Sequence, residues 1–186
     1  CLRNAVLLFE EAYDTLTFDH ITNAVDTMAD LEYYSGAIGM LLSIAKKLGN
    51  NVKPSNFAYN QVGENLVQRG QSEVESKVKK LYDTVFSVLQ KIDTKALKVV
   101  ESNNQLLINS FLEIRDAAYD TCFASKNEQF QYAFYDWFID QGISDRLLDI
   151  NTPYILPYLE KRSESSVVLS NTLWLYYAKR ERYYDA

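Results

Sequence analysis

Residues 127–142 read NEQFQYAFYDWFIDQG, and the periodicity of this stretch decides the fold class. Phe130, Phe134, Trp137 and Phe138 recur at helical spacing and make one apolar stripe. Tyr132, Tyr135 and Ile139 make a second stripe, roughly opposite the first. A helix with two apolar faces has to lie between neighbours. The segment Ser125–Glu128 offers side-chain caps for a helix starting near Lys126, and Gly142 closes it.

The same two-sidedness appears upstream. Ser35 opens a predicted helix ending at Gly49, with Ile38, Leu41, Leu42 and Ala45 on one face and Met40, Ile44 and Leu48 on another. Gly36 and Gly39 allow a neighbour to approach closely, and Lys46 and Lys47 suit the negative end of the helix dipole. Elsewhere the stripes are single. Leu2, Val6, Phe9, Tyr13 and Leu16 share one face; after a cap at Thr17 or Asp19, so do Ile21, Val25, Met28 and Leu31. Ser72-Glu73-Val74-Glu75 reads as a capping box opening the longest stretch, with Val74, Val78, Leu81, Val85, Val88 and Ile92.

Further along, Ser102–Gln105 repeats the capping logic before one or two helices over 106–124. Ser144 caps a short turn at 145–150, and Thr152-Pro153 pairs a capping hydroxyl with a proline at a helix start. A last helix is expected over 166–179, with another beginning at Tyr183. Residues 50–70 carry the weakest pattern and read as a hinge or a long connection. Gly 6 and Pro 3 make about 5% of 186 residues against a usual ~12%, too few for the turns of an all-β fold.

The expectation is an all-α fold: an irregular α-helical solenoid of stacked antiparallel helices, with residues 1–186 as a single segment. Stacked hairpins require two-sided helices because each unit covers its predecessor. A closed bundle also has inner helices, and no fixed-period repeat signature is present. The opening at Cys1 without Met and the stop at Ala186 read as a piece of something longer.

Chemistry is hard to place in this composition. The net charge of −6 disfavours duplex binding, which needs a cationic footprint. Residues 1–50 carry 3 basic and 7 acidic groups, residues 51–100 carry 8 and 5, and residues 101–186 carry 8 and 13. The central excess includes Lys77, Lys79 and Lys80, read as a solvated helix face. Cys1 and Cys122 build no disulfide framework, which favours a reducing, intracellular setting. No apolar run approaches the ~20 residues that span a bilayer.

His20 is the single histidine and reads as a polar residue near a helix start rather than a catalytic base. One His and two Cys cannot make a four-ligand zinc site. The pairs Asp26/Asp30, Asp116/Asp120 and Asp136/Asp140 lie one turn apart, but di-metal bundles also use Glu-x-x-His. No phosphate-binding glycine loop or nucleophile-elbow motif occurs. The expectation is a non-enzyme with no catalytic, metal or cofactor-binding residues. The adjacent tyrosines Tyr33/Tyr34, Tyr176/Tyr177 and Tyr183/Tyr184 each face two ways, one ring toward a core and one toward a neighbour or partner.

Three runs carry a family resemblance. They are residues 132–150 (YAFYDWFIDQGISDRLLDI), 151–159 (NTPYILPYL) and 173–186 (LWLYYAKRERYYDA). Together they resemble the large non-repetitive scaffold nucleoporins of the nuclear pore's inner ring, which carry a β-propeller followed by an α-helical solenoid. The matching positions are Tyr135, Trp137 and Ile139; Asp145, Arg146, Leu147 and Leu148; and Leu173, Trp174, Tyr176 and Tyr177. Residues 31–45 and the long helix near 71–93 are similar to the same family, whereas 50–70 match nothing.

The resemblance implies a structural scaffold of the nuclear pore complex at the nuclear envelope, supporting transport of protein and RNA. It implies other nucleoporins, inner-ring and linker components, as partners. It implies neither direct nucleic-acid binding nor membrane insertion by this segment, and no catalytic or cofactor residues to carry over. The alternative is a free-standing helical adaptor that binds peptide or coat-complex partners through the tyrosine seams.

Overall fold

A computed structural model describes residues 2–51 and 64–184, with side chains described over 3–50 and 72–180. Every regular element among them is helical. The chain divides into two compact units, Cys1–Ala124 and Ser125–Ala186.

The first unit holds α1 (Leu2–Glu11), α2 (Phe18–Asp30), α3 (Tyr34–Asn51), α4 (Glu64–Glu101) and α5 (Gln105–Phe123). Its centre is α3, which packs against α1, α2, α4 and α5. Both expected faces of α3 are used: Ile38, Leu41 and Ala45, and Met40 and Ile44, are all buried. Gly39 faces α5, but a Cβ there would lie 3.9 Å from Thr121 Cγ2, an ordinary contact, so the helix packing does not depend on this glycine. Gly36 serves a local purpose instead, since a Cβ on it would collide with the ring of Tyr33 at 2.0 Å.

Several boundaries differ from the sequence reading, each for a physical reason. Helix α3 runs to Asn51, so Lys46 and Lys47 are not in its last turn. Lys47 Nζ instead donates to the Glu10 carbonyl at the end of α1 and lies 5.6 Å from the Tyr13 ring centroid. The cation thus meets another helix's negative end. Tyr13 and Leu16 fall past the end of α1, and Leu31 caps α2 at 58% exposure, outside the Ile21, Val25, Met28 core stripe.

Helix α4 begins at Glu64, so Ser72–Glu75 lies inside it and caps nothing. Glu73 there pairs with Lys77 one turn on, at 2.8 Å, which holds the Glu73 carboxyl below its ordinary range. Of the connection expected at 50–70, residues 50–51 and 64–70 are helical, and 52–63 lie outside the described residues. The apolar stripe of α4 is buried from Leu81 through Val85, Val88 and Ile92. The cap of α5 is Asn104, whose side chain accepts from Leu107 N at 3.3 Å; Ser102 stands one step back, accepting from Asn104 N. A single helix then fills 105–123.

The second unit holds α6 (Glu128–Asp140), a 3₁₀ helix (Ser144–Asp149), α7 (Ile155–Ser163) and α8 (Val167–Tyr184). Asn127 caps α6 through Phe130 N at 3.1 Å. Gly142, at φ +70°, ends it: its N–H reaches the Ile139 carbonyl and the Ile143 N–H reaches that of Phe138. That reciprocal pair satisfies the orphan carbonyls of the last turn. Phe130, Phe134, Tyr135 and Phe138 are fully buried, and Phe134 stacks within 6.1 Å of Phe130, Trp137 and Phe138.

Two expected caps fail in this unit. Ser144 is the first residue of the 3₁₀ helix, and Ile143 before it has no capping side chain. The Thr152 hydroxyl is 2.5 Å from Tyr135 OH, so it satisfies a buried phenol while α7 starts at Ile155 with no side-chain cap. At the other end α8 runs unbroken through Tyr183 to Tyr184, and its first turn is capped by Ser166 through Leu169 N at 3.5 Å.

Candidate functional site

The candidate features are the polar seams between helices and the apolar faces left outside them. In the first unit, Asp93 of α4 is gripped by two side chains one turn apart on α5. Arg115 Nε donates to Oδ1 at 2.8 Å and Tyr119 OH donates to Oδ2 at 2.6 Å. The Arg115 guanidinium lies 5.5 Å from the Tyr119 ring centroid. Residues four apart on a helix share a face, so the pair closes on the carboxylate as one clasp.

The second unit repeats the arrangement. Asp136 of α6 accepts from Tyr158 OH at 2.7 Å and from Arg162 Nη2 at 2.7 Å, both on α7, with the guanidinium 5.9 Å from the Tyr158 ring. The sequence separations are the same, 22 and 26 residues, with the order of Tyr and Arg reversed. A third instance uses a backbone acceptor: the Ile150 carbonyl receives Tyr176 OH at 3.2 Å and Arg180 Nη2 at 3.3 Å. Arg180 also reaches Asn151 Oδ1 at 2.9 Å and lies 4.5 Å from the Tyr176 ring.

Electrostatics keep Tyr158, Tyr135 and Tyr176 as neutral donors. Burial, then the bond to Asp136, pushes the Tyr158 phenol far up. Burial pushes Tyr135 up to about 12, and burial also raises Tyr176. Both oxygens of Asp93 and of Asp136 accept bonds from a neighbouring helix, so these carboxylates hold helices together.

Of the residues singled out in the sequence, Asp136 therefore belongs to a seam rather than to a helix-face pair with Asp140. Asp26 joins α2 to α4 through Lys91 at 2.9 Å, and Glu32, in the turn between α2 and α3, reaches α4 through Lys95 at 2.5 Å. Asp116 and Asp120 lie exposed on α5, and no metal-holding cluster of His, Cys, Asp or Glu occurs among the described residues. His20 closes a capping box: its N–H meets Thr17 Oγ1 and its Nδ1 accepts from Thr17 N, each at 3.4 Å. Cys122 is buried, which pushes its thiol up and keeps it unreactive. Lys77, Lys79 and Lys80 are exposed.

The tyrosine pairs divide as expected where described. Tyr34 and Tyr176 enter cores, while Tyr177 is exposed and donates to Glu160 Oε1 at 2.8 Å. The side chains of Tyr183 and Tyr184 lie outside the described residues. A groove of about 460 Å³ runs along α4, lined by Ser87, Gln90, Lys91, Thr94, Lys95 and Lys98. Asp26 and Glu32 already take two of its lysines. The residues sequence reasoning missed are the clasp arginines, Arg115, Arg162 and Arg180. The signal was present: an Arg and a Tyr four apart, with an Asp 22 residues upstream in two of three cases.

The family model described as "Non-repetitive/WGA-negative nucleoporin C-terminal" matches residues 1–186. The chain belongs to this nucleoporin family. It is 33% identical over 189 residues to nucleoporin NUP170 of Saccharomyces cerevisiae, covering 100% of this chain and 12% of that protein. A probable nucleoporin of Schizosaccharomyces pombe is 31% identical over 96% of this chain and 12% of its own length.

Among solved structures, the Chaetomium thermophilum Nup170 CTD–Nup145N complex matches with TM-score 0.77 and 25% identity, covering 99% of this chain and 34% of that one. The Nup170 CTD of the same organism matches with TM-score 0.72 and 26% identity, over 97% and 31%. The nucleoporin fold class is thus the helical solenoid expected from the two-sided stripes. Membership makes this a segment of a nuclear pore scaffold protein at the nuclear envelope. The chain spans about an eighth of the length of the curated relatives it matches. Among the matched positions Tyr135, Leu147 and Tyr176 are buried in the cores of this nucleoporin, Trp137 is half-buried, and Trp174 points outward at 69% exposure.

Proposed function

We propose that residues 1–186 act as a single scaffold segment of the inner ring of the nuclear pore, through protein–protein contacts and without chemistry of their own. The match of the nucleoporin family model over the entire chain carries this reading. The seams support it: Asp93, Asp136 and Tyr176 are bonded to neighbouring helices, which stiffens each unit.

The partners proposed are other nucleoporins, inner-ring and linker components. A similar solved structure is a Nup170 CTD bound to Nup145N, which supports a nucleoporin partner for this segment as well. Transport of protein and RNA is supported indirectly, by holding the ring. The segment neither grips nucleic acid nor inserts in the membrane in this reading. Its charge of −6 agrees with the first, and the lack of a helix long and apolar enough to span a bilayer among the described residues agrees with the second. A free-standing adaptor is not favoured, because the similar proteins are much longer nucleoporins.

Cross-linking mass spectrometry on intact nuclear pores tests the reading, with the exposed Lys98, Lys126 and Lys161 as reporters. Links from these lysines to inner-ring or linker nucleoporins are expected. Links confined to proteins outside the pore would overturn it.

A further inference from the structure

Helix α4 carries a row of lysines in a chain whose net charge is −6. Lys91, Lys95 and Lys98 lie within a sector of about 60° on its surface, at 100° per residue. With Ser87, Gln90 and Thr94 they line the open groove of the first unit, and none of the lining residues is a carboxylate. Asp83 and Glu101 stand one turn beyond its two ends. From Ser87 to Lys98 the groove is about 16 Å long, the reach of about five residues of extended chain. Two of the three cations are held in place. Lys91 meets Asp26 at 2.9 Å, and Lys95 meets Glu32 while lying 5.3 Å from the Phe111 ring centroid. Lys98 is exposed and makes no ion pair among the described residues.

We propose that this groove docks a short acidic segment of another nucleoporin, whose carboxylates pair with Lys91, Lys95 and Lys98. This rests on the scaffold role proposed for the segment and adds the chemistry of one partner. An ammonium offers three donors, and Asp26 and Glu32 take one each, so Lys91 and Lys95 each keep a donor for a second carboxylate. Those exposed pairs add little to stability, but they fix two flexible stems before a partner arrives, which lowers the ordering cost of binding. Other ligands fit less well. The lining holds no arginine and no aromatic side chain, the groups on which single-stranded nucleic acid stacks. Three lysines, two of them already paired, are a small footprint for a duplex backbone. No apolar side chain lines the groove to receive a lipid chain.

The test is cross-linking of the full-length protein in intact nuclear pores with a zero-length carbodiimide, which joins an ammonium to a carboxylate in direct contact. The expected result is a link from Lys98 to an Asp or Glu of another nucleoporin. A long-spacer, lysine-directed reagent supplies the comparison. In K91E/K98E its links from Lys95 to the same segment should fall about fivefold, the size expected for two exposed charge pairs. Links from Lys126 and Lys161 should not change. Absence of the Lys98 carbodiimide link overturns the proposal; where the long-spacer reagent still joins Lys126 or Lys161 to inner-ring nucleoporins, the scaffold reading stands without it. Undiminished links from Lys95 in K91E/K98E overturn it as well. Ultraviolet cross-linking of RNA to residues 87–98 would assign the groove to nucleic acid and overturn it too. Links confined to proteins outside the pore overturn both the proposal and the scaffold reading.

Discussion

The two Asp-centred clasps have the same bonds and the same sequence spacing, yet they sit at different depths. In the first unit the Tyr119 ring is buried and the ion pair is sheltered as well, with the Arg115 and Asp93 side chains 22% and 32% exposed. In the second, Arg162 and Asp136 are 48% and 40% exposed, and the sheltered part is the Tyr158 ring, which is fully buried. Water screens an exposed ion pair almost to nothing, whereas a buried phenol that loses its acceptor is left uncompensated. One geometry therefore distributes its stability differently: over both Arg115–Asp93 and Tyr119–Asp93 for α4 and α5, and mainly in Tyr158–Asp136 for α6 and α7.

The largest effect sets the scale against which both clasps are read. Phe134→Ala removes a buried ring stacked among three others and should cost ~3–5 kcal/mol in urea unfolding. A loss under ~1 kcal/mol would mean that α6 is not the core of its unit. Asp93→Ala should cost ~2–3 kcal/mol, since it strands a sheltered guanidinium and a buried phenol together. Asp136→Ala should cost less, ~1–2 kcal/mol, almost all of it from Tyr158. The reverse order would break the comparison.

Alkali sharpens it further. A tyrosine in the unfolded chain loses its proton near its ordinary value of 10, while folded Tyr135 holds its proton to about 12 and Tyr158 holds it higher still. Their contribution is complete below pH 10 and is lost as pH rises, by ~1.4 kcal/mol per unit for each proton the native state retains. Stability measured between pH 9 and 11.5 should fall, and fall less steeply in Tyr158→Phe. The smallest effect belongs to Arg162→Ala, below ~1 kcal/mol because the pair is exposed.

How much of this was legible in the sequence follows from range. The two faces of α3 and α6, the Thr17 cap and the Gly142 stop are local facts, set by residues within a turn or two; at Ser102 and Ser125 the box pattern marks the right turn, but the caps are Asn104 and Asn127, two residues on. The false starts at Ser72, Ser144 and Thr152 are local signals overruled by tertiary demand: Thr152 had a capping hydroxyl, but the buried Tyr135 phenol took it. Ser72 sits in α4 because the helix propagates through Gly70 once it has begun at Glu64. The clasps were invisible to a search over helical turns, since Asp136 reads as one of a pair with Asp140 until α7 is folded against it. The outward turn of Trp174 was equally hidden. Its neighbours Leu173, Leu175 and Tyr176 are also apolar, and nothing local says which of them faces α7.

Double-mutant cycles on the two ion pairs test the central claim most directly, Arg115→Ala with Asp93→Ala and Arg162→Ala with Asp136→Ala. The account predicts a coupling of ~1–2 kcal/mol for the first pair and below ~0.5 kcal/mol for the second. Equal couplings, or a larger one at Asp136, would contradict it.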